Sequence, residues 1–191
     1  MKFFRIHQVI DIFVEKCKNY NLSIKNEMDY KKLLIQQQSF NGTNYTNVGS
    51  VVDTQAAYNV VCQEFPFKYL PESKELAKTE WYDEHGDDVY MPTDGLKIKA
   101  YDLEATFLYV GSRENMGSDL KNFVKFIYGR NSGGAPMLAI YDEFTGIGKR
   151  GCYVTDVNND LFVYDDANTH IVSRFKVKFR VSDPVTDIRL S

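Results

Sequence analysis

Arg174-Phe175-Lys176-Val177-Lys178-Phe179-Arg180-Val181-Ser182-Asp183-Pro184 decides the fold. Side chains alternate across a strand with period two, so Phe175, Val177, Phe179 and Val181 share one face and Arg174, Lys176, Lys178 and Arg180 share the other. A strand of this kind buries one face in a core and turns the other to water or a partner. The signal is one of sheet rather than of an active site, and no other stretch of the chain outranks it.

Working back from it, the next clear element is a long strand over Leu96 to Val110, with Tyr101, Leu103, Ala105, Phe107 and Tyr109 on one face and Asp102, Glu104 and Thr106 on the other. A helix follows, opened by Ser118 as N-cap with Asp119 in its first turn, built on Leu120, Phe123, Val124 and Ile127, and closed by Gly129. Pro136 to Tyr141, Gly151 to Val157, Leu161 to Tyr164 and Ile171 to Ser182 read as strands, the middle pair turning at Asn158-Asn159. The order is strand, helix, then four strands, an α+β chain that is mainly β.

The front of the chain has a different texture. Phe3, Ile6, Ile10, Phe13 and Cys17 recur near helical spacing, although the Phe-Ile-Val-rich run also fits a strand, and Met28 to Gln38 is a second candidate helix carrying Tyr30, Leu33, Leu34 and Gln37 on one side. Residues 1–39 therefore read as a partly helical extension. At Ser39 the pattern changes, and the Asn-Gly pair of Phe40-Asn41-Gly42 announces short strands and tight turns, so sheet is expected from here. Asp53 to Glu64 fits a short helix or another strand. The polar segment from Lys68 to about Asp94 exceeds the usual connection of about four to six residues and reads as an arm or functional loop. Its centre, Glu80-Trp81-Tyr82-Asp83-Glu84-His85-Gly86-Asp87-Asp88-Val89-Tyr90, joins acids to the only tryptophan.

Composition narrows the class of function. At 191 residues the chain suits one core with an appendage rather than two full domains. Its 26 acids against 23 bases give a net charge of -3, with no overall pull toward nucleic acid or anionic lipid. The 13 Phe and 13 Tyr favour strands and broad contact surfaces. Cys17, Cys62 and Cys152 form no CxxC pair, which points to reduced, semi-buried thiols rather than a zinc knuckle or disulfide framework. Met1-Lys2-Phe3-Phe4-Arg5 imitates the start of a signal peptide, but Asp11, Glu15 and Lys16 interrupt the apolar run, and a soluble, unexported protein is expected.

Motifs of catalysis are missing. Gly146-Ile147-Gly148-Lys149-Arg150-Gly151 matches the letters of the dinucleotide fingerprint, but Cys152-Tyr153-Val154 continues as strand where a helix would have to receive a pyrophosphate, so a glycine-rich turn is expected. Asp83, Glu84, His85, Asp87 and Asp88 could supply metal ligands, yet their spacing fits no EF-hand loop. A small metal-binding or enzymatic module using residues 83–88 is the alternative of another class. No cofactor is expected, and His7 and His170 stand isolated in the sequence. The cationic side of the last strand has three readings: solvated surface, cross-strand pairing with Asp102 and Glu104, or contact with a subunit or nucleic acid.

The segment from Leu96 onward resembles the tail-tube fold of tailed bacteriophages, and in particular the N-terminal domain of distal tail (baseplate hub) proteins. The resemblance is carried by Lys99-Ala100-Tyr101-Asp102-Leu103-Glu104-Ala105-Thr106-Phe107, the helix from Asp119-Leu120 to Tyr128, the strand Leu138-Ala139-Ile140-Tyr141-Asp142-Glu143, and Phe175 to Phe179 ending in Asp183-Pro184, with Phe40-Asn41-Gly42 as the start. It implies a sandwich or barrel of antiparallel strands with one flanking helix over residues 40–191, and a non-enzymatic virion protein made in the bacterial cytoplasm. Such proteins form rings, commonly hexameric, with copies of themselves and other tail or connector proteins; DNA passes through the channel without sequence-specific binding, and no membrane is involved. The 68–94 segment would be the arm reaching a neighbouring subunit or ring. Trp81, Tyr82, Asp87, Asp88, Arg174, Lys176, Lys178 and Arg180 are the candidate subunit contacts. Tube, distal ring, neck or terminator and short-tail ring share this fold and remain alternatives. The front extension and the absence of a galectin-like domain after Asp183-Pro184 distinguish the chain from many distal tail proteins.

Overall fold

A computed structural model describes residues 32–68, 71–164 and 171–191. In chain order the elements are β1 (Leu33–Phe40), β2 (Tyr45–Asp53), α1 (Thr54–Tyr58), β3 (Val60–Glu64), β4 (Lys78–Glu80), β5 (Asp87–Val89), β6 (Tyr101–Tyr109), α2 (Arg113–Ile127), β7 (Met137–Asp142), β8 (Ile147–Tyr164) and β9 (Ile171–Val181). Among the described residues seven of the strands make one antiparallel sheet in the order β2-β1-β7-β8-β9-β6-β3, and β4 and β5 pair with each other. The fold is α+β and mainly β.

The alternation of β9 has the consequence its sequence demands. Phe175, Val177, Phe179 and Val181 are all buried, and in the β6 ladder they face Phe107, Ala105, Leu103 and Tyr101 respectively. Leu33 and Ile35 of β1, Val60 of β3 and Leu138 and Ile140 of β7 join the same core, which α2 closes with Phe123, Phe126 and Ile127. Seven strands laid flat would put β2 and β3 about 29 Å apart, six spacings of about 4.8 Å. Yet only α1 and its caps connect Asp53 to Val60, a helical span of about 10 Å. The sheet therefore has to curl, bringing its two edges together around the core, and the expected sandwich or barrel takes the form of a single curved sheet.

The outer side of β1 and β7 is covered as well. Leu34, Ala139 and Tyr141 form a second small cluster with Leu190 and Ile188 of the C-terminal segment. That segment is tied to β8: the Ile188 N–H donates to the Gly148 carbonyl at 3.0 Å. A side chain at Gly148 would meet the Ile188 carbonyl oxygen at 2.4 Å, so the close approach requires glycine there. Lys149, only 6% exposed, donates to the Pro184 carbonyl at 2.8 Å and pairs with Asp187. Arg150 Nε donates to Asp183 at 2.7 Å, and the Thr186 N–H donates to the same carboxylate at 3.0 Å. Asp183-Pro184 is thus the clasp that turns the chain back over the sheet.

The clasp gives a pH prediction. Burial would raise the Asp183 pKa, but hydrogen bonds from Arg150 and Thr186 outweigh it and hold the carboxyl below its ordinary value. A depressed folded-state pKa adds stability that is complete above the unfolded value of about 4 and is lost as pH falls through the lower folded value. Asp183→Asn should therefore flatten the acid limb of the stability curve. Thermal melts of both chains between about pH 2 and 6 check this, since the gap between them should shrink as pH falls.

Several sequence expectations are corrected. Leu33–Phe40, overlapping the candidate helix Met28 to Gln38, is a strand, so sheet is present before Ser39. It does not alternate because both its faces are covered: Leu33, Leu34 and Ile35 are all buried, as are Gln37 and Gln38. Gln37 Nε2 donates to the Phe126 carbonyl at 2.6 Å, satisfying the C-terminal end of α2, and Gln38 accepts from the Gly151 N–H at 3.2 Å. Asn158-Asn159 is no turn: β8 runs unbroken from Ile147 to Tyr164 against β9, absorbing the pair next to an irregularity between Asn159 and Leu161. The helix begins after Ser112 rather than Ser118, whose hydroxyl donates back to the Asn115 carbonyl at 2.7 Å. Strand β6 starts at Tyr101, not Leu96.

Other expectations stand. Asp53 to Glu64 holds both alternatives, α1 and then β3. Gly129 follows the helix with φ +67°, and its own N–H donates to Phe126. Gly146, also at positive φ, turns the chain into β8 where a nucleotide-binding helix would have had to begin. Cys152 is buried in the core, and burial pushes its thiol up to about 12. The candidate helix over Phe3 to Cys17, the start of the second candidate helix from Met28 to Lys31, and His7, Cys17 and His170 lie outside the described residues.

Candidate functional site

The polar segment after β3 folds into a ribbon that stands apart from the sheet. At its base the Lys99 N–H donates to the Glu72 carbonyl at 2.8 Å, Ser73 bridges Ile98, and the Lys74 N–H reaches Lys97. Further out Tyr90 donates to Ala77, and then Lys78 faces Val89, Thr79 faces Asp88 and Glu80 faces Asp87. Residues 81–86 form the tip, where Gly86 takes φ +94°.

Partners across a ladder share a face, and contacts confirm which is which. On one face Lys78 Nζ sits 2.8 Å from Glu80 and 2.9 Å from Asp87. These two carboxylates raise the Lys78 pKa, with the Asp87 hydrogen bond as the larger cause. On the other face Trp81 Nε1 donates to Asp88 at 3.0 Å. The large side chains stay bare: Tyr82 is 100% exposed, Tyr90 73%, Met91 64% and Trp81 53%. Of the candidate metal-ligating acids, Asp87 and Asp88 are thus committed to Lys78 and Trp81. Among the described residues no group of three or more His, Cys, Asp or Glu is placed to hold a metal ion.

The remaining candidates, Arg174, Lys176, Lys178 and Arg180, line the outward side of β9. There Lys176 Nζ lies 2.8 Å and Lys178 Nζ 3.8 Å from Glu104, while Arg180 lies 3.1 Å from Asp102. Cross-strand pairing, the second of the three readings, is what the geometry displays. Each such pair contributes roughly 0.2–1 kcal/mol. Reversing both Lys176 and Lys178 to Glu replaces two attractions by repulsions around Glu104 and should cost about 1–2 kcal/mol, visible as a lowered Tm. An unchanged melt would show the face to be merely solvated.

The two groups of candidates are therefore separate: Trp81, Tyr82, Asp87 and Asp88 gather on the arm, and the four cations sit on the sheet. Tyr90 and Met91 were missed. Their signal was the short apolar run Val89-Tyr90-Met91 inside a polar segment just before Pro92, and it indicates a strand whose large side chains have no core to enter.

The fold and its site define an α+β, mainly-β domain that carries a projecting, aromatic-tipped, two-stranded arm. No family model matches the chain, and no curated protein matches it. Among solved structures it is similar to the SPP1 Dit (gp 19.1) protein, described as a paradigm of the hub adsorption apparatus in phages infecting Gram-positive hosts, with a TM-score of 0.47 and 11% identity over 80% of this chain. The likeness is one of fold, and the chain spans 50% of the length of that protein. Among the described residues no helix is long and apolar enough to cross a membrane.

Proposed function

We propose that the chain is a non-catalytic structural component of a phage tail, assembling with copies of itself into a ring of the tube, distal tail or connector through which DNA passes. The observation that carries this reading is the arm. A lone two-stranded ribbon is marginal in water, having no core of its own to bury. This one exposes Trp81, Tyr82, Tyr90 and Met91, the kind of side chain that anchors protein interfaces. Such a ribbon gains its stability from a surface outside its own domain. The strand, helix and closing-strand order that resembles tail-tube domains supports the same reading.

Within it, Trp81, Tyr82, Asp87 and Asp88 are the contact residues. The cations of β9 have their first task inside the sheet, holding β6 and β9 together through Asp102 and Glu104. The test is direct imaging: negative-stain micrographs of the concentrated full chain, or of virions with the chain labelled. Rings, or label confined to tails, are expected. Dispersed single particles with no virion association would reject the proposal.

A further inference from the structure

An acidic tip is complemented by a cationic surface, and among the described residues the outward face of β9 and that of α2 can be compared. The β9 face is the weaker, because Lys176, Lys178 and Arg180 already lie against Asp102 and Glu104. Helix α2 offers a better one. Arg113, Lys121 and Lys125 are exposed and follow the four-residue spacing that aligns side chains on one helix face, with Gly117 completing the row. Among the described residues no carboxylate pairs with any of the three. Of the two acids within α2, Asp119 is occupied, accepting from Asn59 at 2.9 Å and from Tyr109 at 3.0 Å, which leaves Glu114. The inward side of the same helix is fixed in the core by Phe123, Phe126 and Ile127, so the basic row is held outward on a rigid element.

The arm has the opposite charge at its tip. From Glu80 to Asp88 there are five acids, Glu80, Asp83, Glu84, Asp87 and Asp88, and no Lys or Arg. From its base at Glu72 to Trp81 the ribbon reaches about 30 Å at about 3.3 Å per residue, far enough to land on a neighbouring molecule.

We infer that the arm tip of one copy docks on the outward face of α2 of a second copy, with Asp83 and Glu84 against Lys121 and Lys125 and with Trp81 and Tyr82 packed beside them. This rests on the reading of the chain as a self-assembling protein and adds the receiving surface. A contact between two different surfaces is head to tail, and repeated it closes into a ring or runs on as a filament. The interaction should weaken as salt rises, since its charges lie at the protein surface.

The experiment is a charge swap in the full chain, followed by sedimentation velocity over a concentration series. Lys121→Glu with Lys125→Glu, and separately Asp83→Lys with Glu84→Lys, should each weaken self-association about tenfold or more, and the four changes together should restore it to within about threefold. All four positions are exposed, and matching melting curves verify that the variants fold. If the unaltered chain assembles while the helix reversal has no effect, or the combined variant does not recover, the arm docks elsewhere and this inference falls while the proposed function stands. If the unaltered chain stays monomeric at every concentration, the functional reading itself fails. Binding of a short DNA duplex that is lost on reversing Lys121 and Lys125, with self-association untouched, would assign the row to nucleic acid and overturn the inference.

Discussion

A Phe123→Ala variant is expected to lose about 3–5 kcal/mol of folding stability, a large part of the roughly 5–15 kcal/mol that holds an ordinary domain together. Phe123 is fully buried and is where the separate parts of the fold meet. Its ring lies 5.6 Å from Phe107 on β6, 5.9 Å from Phe175 on β9 and 5.7 Å from Tyr58 at the end of α1. Removing it opens a cavity lined by three other rings, which cannot all move in to fill it because Phe107 and Phe175 are fixed by sheet pairing. It also undocks α2 from α1, the short connection that draws the two sheet edges together. Urea unfolding measures the loss. A cost below about 1 kcal/mol would mean that the helix does not close the core as described.

Trimming the arm should do the reverse, sparing the fold and abolishing assembly. Replacing residues 75–96 by a short Gly-Ser turn leaves the Glu72 to Lys99 base intact and removes mostly exposed side chains, none of which belongs to the buried core. The stability of the domain should change by no more than about 0.5 kcal/mol. Self-association should fall on the order of 100-fold or more, because Trp81 and Tyr82 leave together with the acids and buried aromatic anchors typically supply about 2 kcal/mol or more each. The paired measurement, a thermal melt beside a concentration-dependent mass, separates loss of contact from loss of fold.

How far the sequence alone led depended on which faces of each element are covered. Strands β6 and β9 were legible because each has one buried and one wet face, so Tyr101 to Tyr109 and Phe175 to Val181 alternate cleanly. Strand β1 was misread as helix because the core lies on one side and the C-terminal segment on the other, while Gln37 and Gln38 are buried for the sake of hydrogen bonds made with residues about ninety or more positions away. Asn158-Asn159 carries turn chemistry that the continuous β9 ladder overrides. The start of α2 was set too late, although continuing the helical spacing back from Leu120 to Met116, which also packs on the core, would have revealed the additional turns. The arm was visible from segment length alone, since a compact domain has no use for so long a polar connection. The basic row of α2 escaped notice because Arg113 was not recognised as helical.

If the arm is an assembly element, the mass of the full chain in solution, taken by light scattering beside that of the arm-trimmed chain, reveals it most directly. The full chain should give a discrete particle whose mass is a whole multiple of one subunit, and the trimmed chain the mass of one. A single-subunit mass for the full chain up to high concentration, or the same multiple with and without the arm, would contradict it.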